Sequence, residues 1–419
     1  MAAETGADTG TGRGADGERA GAPTCRPLLE GALPDRLVHA PTRRLLVEIG
    51  LPYGCGAPGL DLATDPAVLL RPLADLIDGP STGADDLLVL GEVGRDHLVL
   101  DGRTGRVALA AAGRRPSTGV LLDPVATDLA AFLAGLAALA ALRTGAADPA
   151  ALQGRRGPAV ADEVRAAALG RMRAADPAVF SPSGDAPYWS AAVLLESLRW
   201  AARPGAWDAT DGEGRLAHGI TPDLAAELGP LLPVADADLP AVLRHRPTRR
   251  LLTAVGLPST GLLRGDEERP LATLGERMPW YAEEAADADP DADPVDGAAG
   301  PGRVFLGLSV YDCAVLLDGD TGRISVLSDE GDEEWPAPGL STDLSAYYLT
   351  IWVLARLRTE AGRWTGRCAP VQWQVFDQVE LLAEEGRRLL ADLDPPAFAD
   401  EESLWNALAD DGHMGGLLG

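Results

Sequence analysis

The sequence predicts an α+β fold built twice: two tandem homologous domains, each an antiparallel meander packed by helices. Three observations predict it. Residues 36–52 read RLVHAPTRRLLVEIGLP, and residues 243–258 read LRHRPTRRLLTAVGLP. DHLVLDGRTGRVALA, from Asp96, is answered by CAVLLDGDTGRISVL, from Cys313. In each half a short helix pattern comes first, closely spaced strand-like runs follow, and apolar helix patterns come last. That order is α+β, not alternating βαβ. The offset between matching positions drifts only from 206 residues at Pro41 to 216 at Trp189. This is a duplicated domain, because solenoid periods are roughly 20–50 residues.

Taken in order, residues 1–26 carry Gly, Ala, Thr and charge without an apolar period, and read as a disordered tail. Residues 27–205 form the first domain, 206–238 a linker, and 239–419 the second domain with an acidic insertion at 283–302. Thr42 reads as a helix N-cap, Leu45, Leu46 and Ile49 as one helical face, and Gly50 with Pro52 as the stop. Thr248, Leu251, Leu252, Val255 and Gly256 repeat that pattern. Residues 53–84 read as mostly irregular. LLVL at 87–90, HLVL at 97–100 and RVAL at 106–109 are strand-like, with turns at 91–94 and 101–105. Strands joined this tightly make an antiparallel meander. The second half offers VFL at 304–306, AVLL at 314–317 and RISVL at 323–327.

Leu129, Phe132, Leu133, Leu136, Leu139 and Leu142 then form one helical face, with Asp128 at the end where the helix dipole favours an acid. Leu344, Tyr347, Tyr348, Ile351, Leu354 and Leu357 are the counterpart. A second helix is expected around 160–173 and 371–390. An Asp-Pro break follows at Asp176 and Asp394, then a short helix bearing Trp189 or Trp405, each read as a core plug.

The chain has 419 residues, enough for two domains that each bury a core. All 36 basic residues are arginine, and the net charge is -27. That field argues against nucleic acid or an anionic membrane as partner. It is uneven: residues 1–205 hold 24 acids and 20 arginines, while residues 206–419 hold 39 acids and 16 arginines. The excess acid serves solubility, or it faces a cationic partner. Four scattered cysteines form no disulfide framework and no zinc signature, which fits a reducing cytoplasm. The N-terminus shows no signal-peptide pattern, and the most apolar stretch, 129–142, is too short to span a bilayer.

Chemistry-bearing patterns are sparse. None of the five histidines, His39, His97, His218, His245 and His413, sits in a metal-ligand pair. Asp289, Asp291 and Asp293 resemble the start of a calcium loop, but Pro294 and Gly300 stand where Gly and Glu are needed. No metal or cofactor is expected. Gly102 and Gly105 turn a strand into a strand, so they make no phosphate loop. No nucleophile elbow is present. Arg43-Arg44 and Arg249-Arg250 oppose the dipole at a helix start, which points to pairing with acids such as Asp35 or Glu48, or to a partner contact. Trp280-Tyr281 read as core or as an exposed contact.

The Pro-Thr-Arg-Arg-Leu-Leu…Gly-Leu-Pro segments, the Leu-rich strand ending in Gly, the Asp-Gly-x-Thr-Gly-Arg turn, the apolar helix and the Asp-Pro with a closing Trp resemble the fourth SUKH family. The resemblance covers nearly everything after the tail. It implies an α+β domain on a curved, antiparallel-rich sheet. It also implies a non-enzymatic cytoplasmic role: binding a polymorphic toxin, often a nuclease or deaminase, and blocking it in the producing cell. A regulatory adaptor on the same domain and an unrecognised hydrolase are the competing classes. If the second domain meets a basic toxin cleft, the acids at its meander are the candidates: Asp318 and Asp320 in the turn, then Asp329, Glu330, Asp332, Glu333 and Glu334 after the last strand.

Overall fold

A computed structural model describes residues 24–53, 56–65, 67–77, 83–111, 120–144, 157–180, 186–202, 216–220, 222–260, 263–264, 271–279, 302–309, 313–327, 339–365, 375–401, 403–410 and 416–418. In the first copy these form β1 (Thr24–Arg26), α1 (Ala40–Glu48), β2 (Leu51–Tyr53), β3 (Leu60–Leu62), β4 (Leu87–Val93), β5 (Asp96–Asp101), β6 (Val107–Ala110) and β7 (Leu122–Ala126). The helices α2 (Leu129–Thr144), α3 (Pro158–Ala175) and α4 (Pro187–Ala201) follow. The later residues form α5 (Pro222–Glu227), β8 (Leu231–Leu232), α6 (Arg246–Ala254), β9 (Leu257–Pro258) and α7 (Leu274–Arg277). They continue with β10 (Arg303–Leu308), β11 (Ala314–Asp318), β12 (Ile324–Leu327), β13 (Gly339–Ser341), α8 (Leu344–Thr365), α9 (Gln378–Leu393) and α10 (Leu404–Asp410).

Strands β3 to β7 form a five-stranded antiparallel sheet in chain order, and β10 to β13 a four-stranded one. Two small ribbons, β1–β2 and β8–β9, sit beside α1 and α6. The meander strands are continuous apolar runs because both faces of each sheet are covered. Leu88, Leu90, Leu98, Leu100, Val107 and Leu109 face the main core, while Leu87, Val89, Val99, Ala108 and Ala110 pack with Leu73, Val68 and Ile77. In the second sheet Phe305, Ala314 and Leu316 pack with Leu274 and Met278 of the α7 region.

Both first meander strands carry a bulge, at Val89/Gly91 and at Phe305/Gly307. Glycine is required there: a Cβ on Gly91 would stand 2.1 Å from the carbonyl oxygen of Asp61, and one on Gly307 2.5 Å from that of Arg264. The 91–94 segment is therefore mostly strand, and the turn tightens to Gly94 and Arg95.

Several helix contacts recur in both copies. The face predicted on α2 is buried except for half-buried Leu133, and the six counterparts on α8 are all buried. Trp189 donates its indole N–H to the Val125 carbonyl at 2.8 Å, and Trp405 does the same to Leu340 at 2.8 Å. The Asp of each Asp-Pro break is buried and clamps the strand-to-helix corner. Asp176 accepts from the Thr127 amide at 2.7 Å, and Asp394 from the Thr342 amide at 2.9 Å.

Four expectations change. Thr24–Arg26 is a strand paired to β2, where the tail was expected to run on; residues 1–23 lie outside the described residues. The helix bearing Trp189 is not short: α4 has 15 residues, nearly all buried. It is long because it packs on one side against α2 and α3 and on the other against α9. The second helix of the later half starts at Gln378, not at 371, since the Asp377 carboxylate caps it through the amides of Val379 and Glu380. Residues 222–238, expected as linker, contain α5 and β8.

The two copies share one core, because buried residues of both belong to a single apolar cluster. Asp123 of β7, itself buried, accepts from the amides of Val375 and Phe376 at 2.8 and 2.9 Å. Tyr188 meets Phe376 edge-on at 6.0 Å, and Arg165 reaches the buried Glu360 at 2.7 Å. No helix among the described residues is long and apolar enough to cross a membrane. Asp123→Ala would leave two amides without their acceptor and should cost about 2–3 kcal/mol. Urea unfolding followed by far-ultraviolet circular dichroism checks this, and an unchanged midpoint would show that the clasp contributes nothing.

Candidate functional site

The Asp-Gly-x-Thr-Gly-Arg turn lies against the start of the Pro-Thr helix in both copies. Its geometry follows from the residue types. Asp101 Oδ1 accepts from the amides of Arg103 and Thr104 at 2.8 and 3.1 Å, and Asp318 Oδ1 from those of Asp320 and Thr321 at 3.0 and 2.7 Å. A short acid at the turn's first position does this locally. Partial burial opposes ionisation of Asp318. The amide and hydroxyl of Thr321, the Arg303 guanidinium and the Asp320 amide outweigh it and hold the carboxyl below its usual range. Asp101 behaves alike: burial opposes ionisation, and bonds from Thr104 and Arg103 with the field of Arg106 prevail.

The turn then docks on the helix. The Gly102 carbonyl accepts from the amides of Val38 and His39, both at 2.9 Å, and the Gly319 carbonyl from those of Arg244 and His245 at 2.7 and 2.8 Å. Gly105 and Gly322 have φ of 79° and 77° and approach the imidazoles closely. A Cβ on either would stand 2.3 Å from Nδ1 of His39 or His245. Those nitrogens bond the hydroxyls of Thr42 and Thr248 at 2.8 and 2.7 Å. Thr42 and Thr248 are therefore not N-caps as predicted. His39 and His245 hold that position without a side-chain cap bond, and the threonines lie buried in the first turn. The recurring His-x-Pro-Thr is the sequence signal for this pair; spacing alone reads only as a helix start.

The arginine pairs divide by position. Arg43 bonds Glu30 at 2.8 Å and the Leu37 carbonyl at 3.0 Å, and Arg249 bonds Asp236 at 2.8 Å and the Leu243 carbonyl at 3.0 Å. The acids are not Asp35 or Glu48, because each guanidinium points back over the loop that precedes its helix. Arg44 and Arg250 are exposed.

Of the acids singled out in the second copy, Asp318 is spent on its own turn and on Arg303 at 3.3 Å. Asp320 occupies the x position, with 62% of its side chain exposed and Arg244 3.4 Å away. Its counterpart Arg103 is 71% exposed and 3.7 Å from Asp86. Such exposed pairs contribute about 0–1 kcal/mol. Asp329, Glu330, Asp332, Glu333 and Glu334 lie outside the described residues, as do Trp280, Tyr281, Asp289, Asp291 and Asp293.

Among the described residues, Ser345, His218 and Asp343 lie close together but do not form a triad in this arrangement. Ser345 donates to Asp343 at 2.6 Å and accepts from the His218 backbone amide at 2.9 Å, while the His218 ring faces the Leu393 carbonyl at 3.2 Å. Among the described residues, no group of three or more His, Cys, Asp or Glu could hold a metal ion.

Gly105→Ala or Gly322→Ala should cost about 3 kcal/mol, from left-handed strain together with the collision on the imidazole. Gly94→Ala has a similar φ of 59° with nothing within 4 Å, so it isolates the strain and should cost less. Equal losses in chemical denaturation would argue against close docking. Burial lowers the His245 pKa from 6.5 despite Asp343 and Asp318. The unfolded chain then takes up the proton first. Stability from the neutral ring is present above about pH 6.5 and lost as pH falls through the folded value. The wild-type stability difference between about pH 7.5 and about pH 5.5 should shrink in His245→Asn; an unchanged difference would show that the ring does not contribute.

Compared with protein-family models, the chain matches the SUKH-4 immunity protein twice, over residues 19–196 and 221–411. Comparison with curated proteins and with solved structures finds no match.

Proposed function

We propose, because the chain belongs to the SUKH-4 immunity protein family, that it binds a bacterial polymorphic toxin and neutralises it by protein–protein contact, without turnover, in the cytoplasm of the producing cell. The observation that carries this reading is the family match over both copies. The partner best suited to the charge is a toxin with a basic cleft. A nuclease or deaminase acting on nucleic acid needs such a cleft to neutralise phosphates. An inhibitor of opposite sign entering that cleft gains association rate and selectivity.

The second copy supplies that field, since residues 206–419 carry 39 acids against 16 arginines. We assign the contact to Asp320 at the exposed corner and to Asp329, Glu330, Asp332, Glu333 and Glu334 beyond β12, with Asp318 adding charge while its oxygens hold the turn. At the positions matching the last five the first copy has Ala112, Gly113, Arg115, Pro116 and Ser117. Neutral residues at 329, 330, 332, 333 and 334 should slow association with the cognate toxin about tenfold at low salt and flatten its salt dependence. Stopped-flow mixing checks both. An unchanged rate and salt slope would remove the acidic cluster from recognition.

A further inference from the structure

The first copy exposes an apolar face that the second copy buries. Pro41, Leu45 and Ile49 of the α1 region, and Pro247, Leu251 and Val255 of the α6 region, form the same stripe at four-residue spacing, one face of each helix. Pro247 and Leu251 are buried and Val255 is half-buried, whereas Pro41 is exposed, Leu45 half-buried and Ile49 48% exposed. The exposure extends past the helix. Leu29 is 80% and Tyr53 63% exposed where the second copy has Ala235 and Ser259. The Leu28 amide bonds the Leu46 carbonyl at 2.9 Å, which lays the segment bearing Leu29 along α1. Among the described residues every exposed large apolar side chain belongs to the first copy.

The charges on this face select its occupant. Arg44 and Glu48 are both exposed, four residues apart on α1, and neither forms an ion pair among the described residues. The second copy has Arg250 and Ala254 at those positions, so the opposed pair is particular to the apolar face. A uniformly acidic or basic partner would attract one of the two charges and repel the other. The same face turned antiparallel upon itself attracts both, with Arg44 of each chain opposite Glu48 of the other and Leu45 and Ile49 between them. That is the self-complementarity of a two-fold contact. We propose that this face of the first copy is a homodimer interface, and that its occupant is a second copy of this chain. The inference stands apart from the toxin reading.

Sedimentation equilibrium of the full chain tests it. The mass should rise with concentration from one chain toward two. Ile49→Asp should abolish the rise. Arg44→Glu alone and Glu48→Arg alone each set like charges opposite, and each should weaken dimerisation about tenfold or more. The double swap should restore it to within about threefold. Circular dichroism melting of these surface variants should match wild type, which separates a lost contact from a lost fold. A single mass at all concentrations would overturn the proposal. So would a dimer indifferent to both Ile49→Asp and the charge swaps. A monomer whose capture of toxin falls with Ile49→Asp would overturn it too, and would give the face to the toxin.

Discussion

The carbonyl of Gly102 accepts from two consecutive amides, Val38 and His39, and the carbonyl of Gly319 from Arg244 and His245. Helix starts leave amides without intrahelical acceptors. Here the amides just ahead of the helix are met by a turn far along the chain, Gly102 for Val38 and His39 and Gly319 for Arg244 and His245. The other features of the domain follow from that. The turn must have glycine where its backbone meets the helix entry and the imidazole, and an acid where its own amides converge. The strands on either side of the turn must run antiparallel at a fixed register to hold it there. Cations at the helix start, which the dipole disfavours, stand because Arg43 and Arg249 bond carbonyls and acids of the loops entering the helix.

Much of this was legible in the sequence, for a physical reason. Duplication turns one weak pattern into two, so the meander, the long helix faces and the tryptophan plugs stand out at matched positions. Helix caps were less legible. Thr42 has the right chemistry for a cap, but its hydroxyl turns to His39 because Gly102 already occupies the helix entry. The edge strands β3, β7 and β13 carry only three to five residues each and hold register through their neighbours rather than through any period of their own. Asp123 looks like any strand-edge acid until β7 meets residues 375 and 376 of the other copy. Asp318 was legible as acid but not as a turn-holder, since the same spelling serves exposed and engaged carboxylates.

The contact between copies is part packing and part charge. Glu196 and Glu360 are buried, and each meets two arginines: Arg143 and Arg199 for the first, Arg165 and Arg363 for the second. Carboxylates this deep are tolerated only when paired. Arg165 comes from the first copy and Glu360 from the second, so one pairing crosses the junction. Arg356 does the same, reaching Asp162 at 2.8 Å and Glu227 at 2.6 Å. A half separated from its partner would expose apolar surface and leave such charges unmatched.

Given that shared interior, the copies could diverge only where the docking leaves freedom. Within Asp-Gly-x-Thr-Gly-Arg the acid, both glycines and the threonine are each held by a bond or a close approach, whereas the x side chain is exposed and has only an ion pair. It is Arg103 in one copy and Asp320 in the other, both largely exposed and both in loose ion pairs. A charge reversal there alters the local field by two units and the fold by almost nothing. The outer face of the first helix obeys the same logic. Leu46 and Leu252, which enter the core, are both buried and identical, while Glu48 and Ala254, which do not, differ. One copy has thus accumulated acid and the other exposed apolar side chains on nearly the same backbone. The docked turn separates the positions that must be kept for folding from the positions available for recognition.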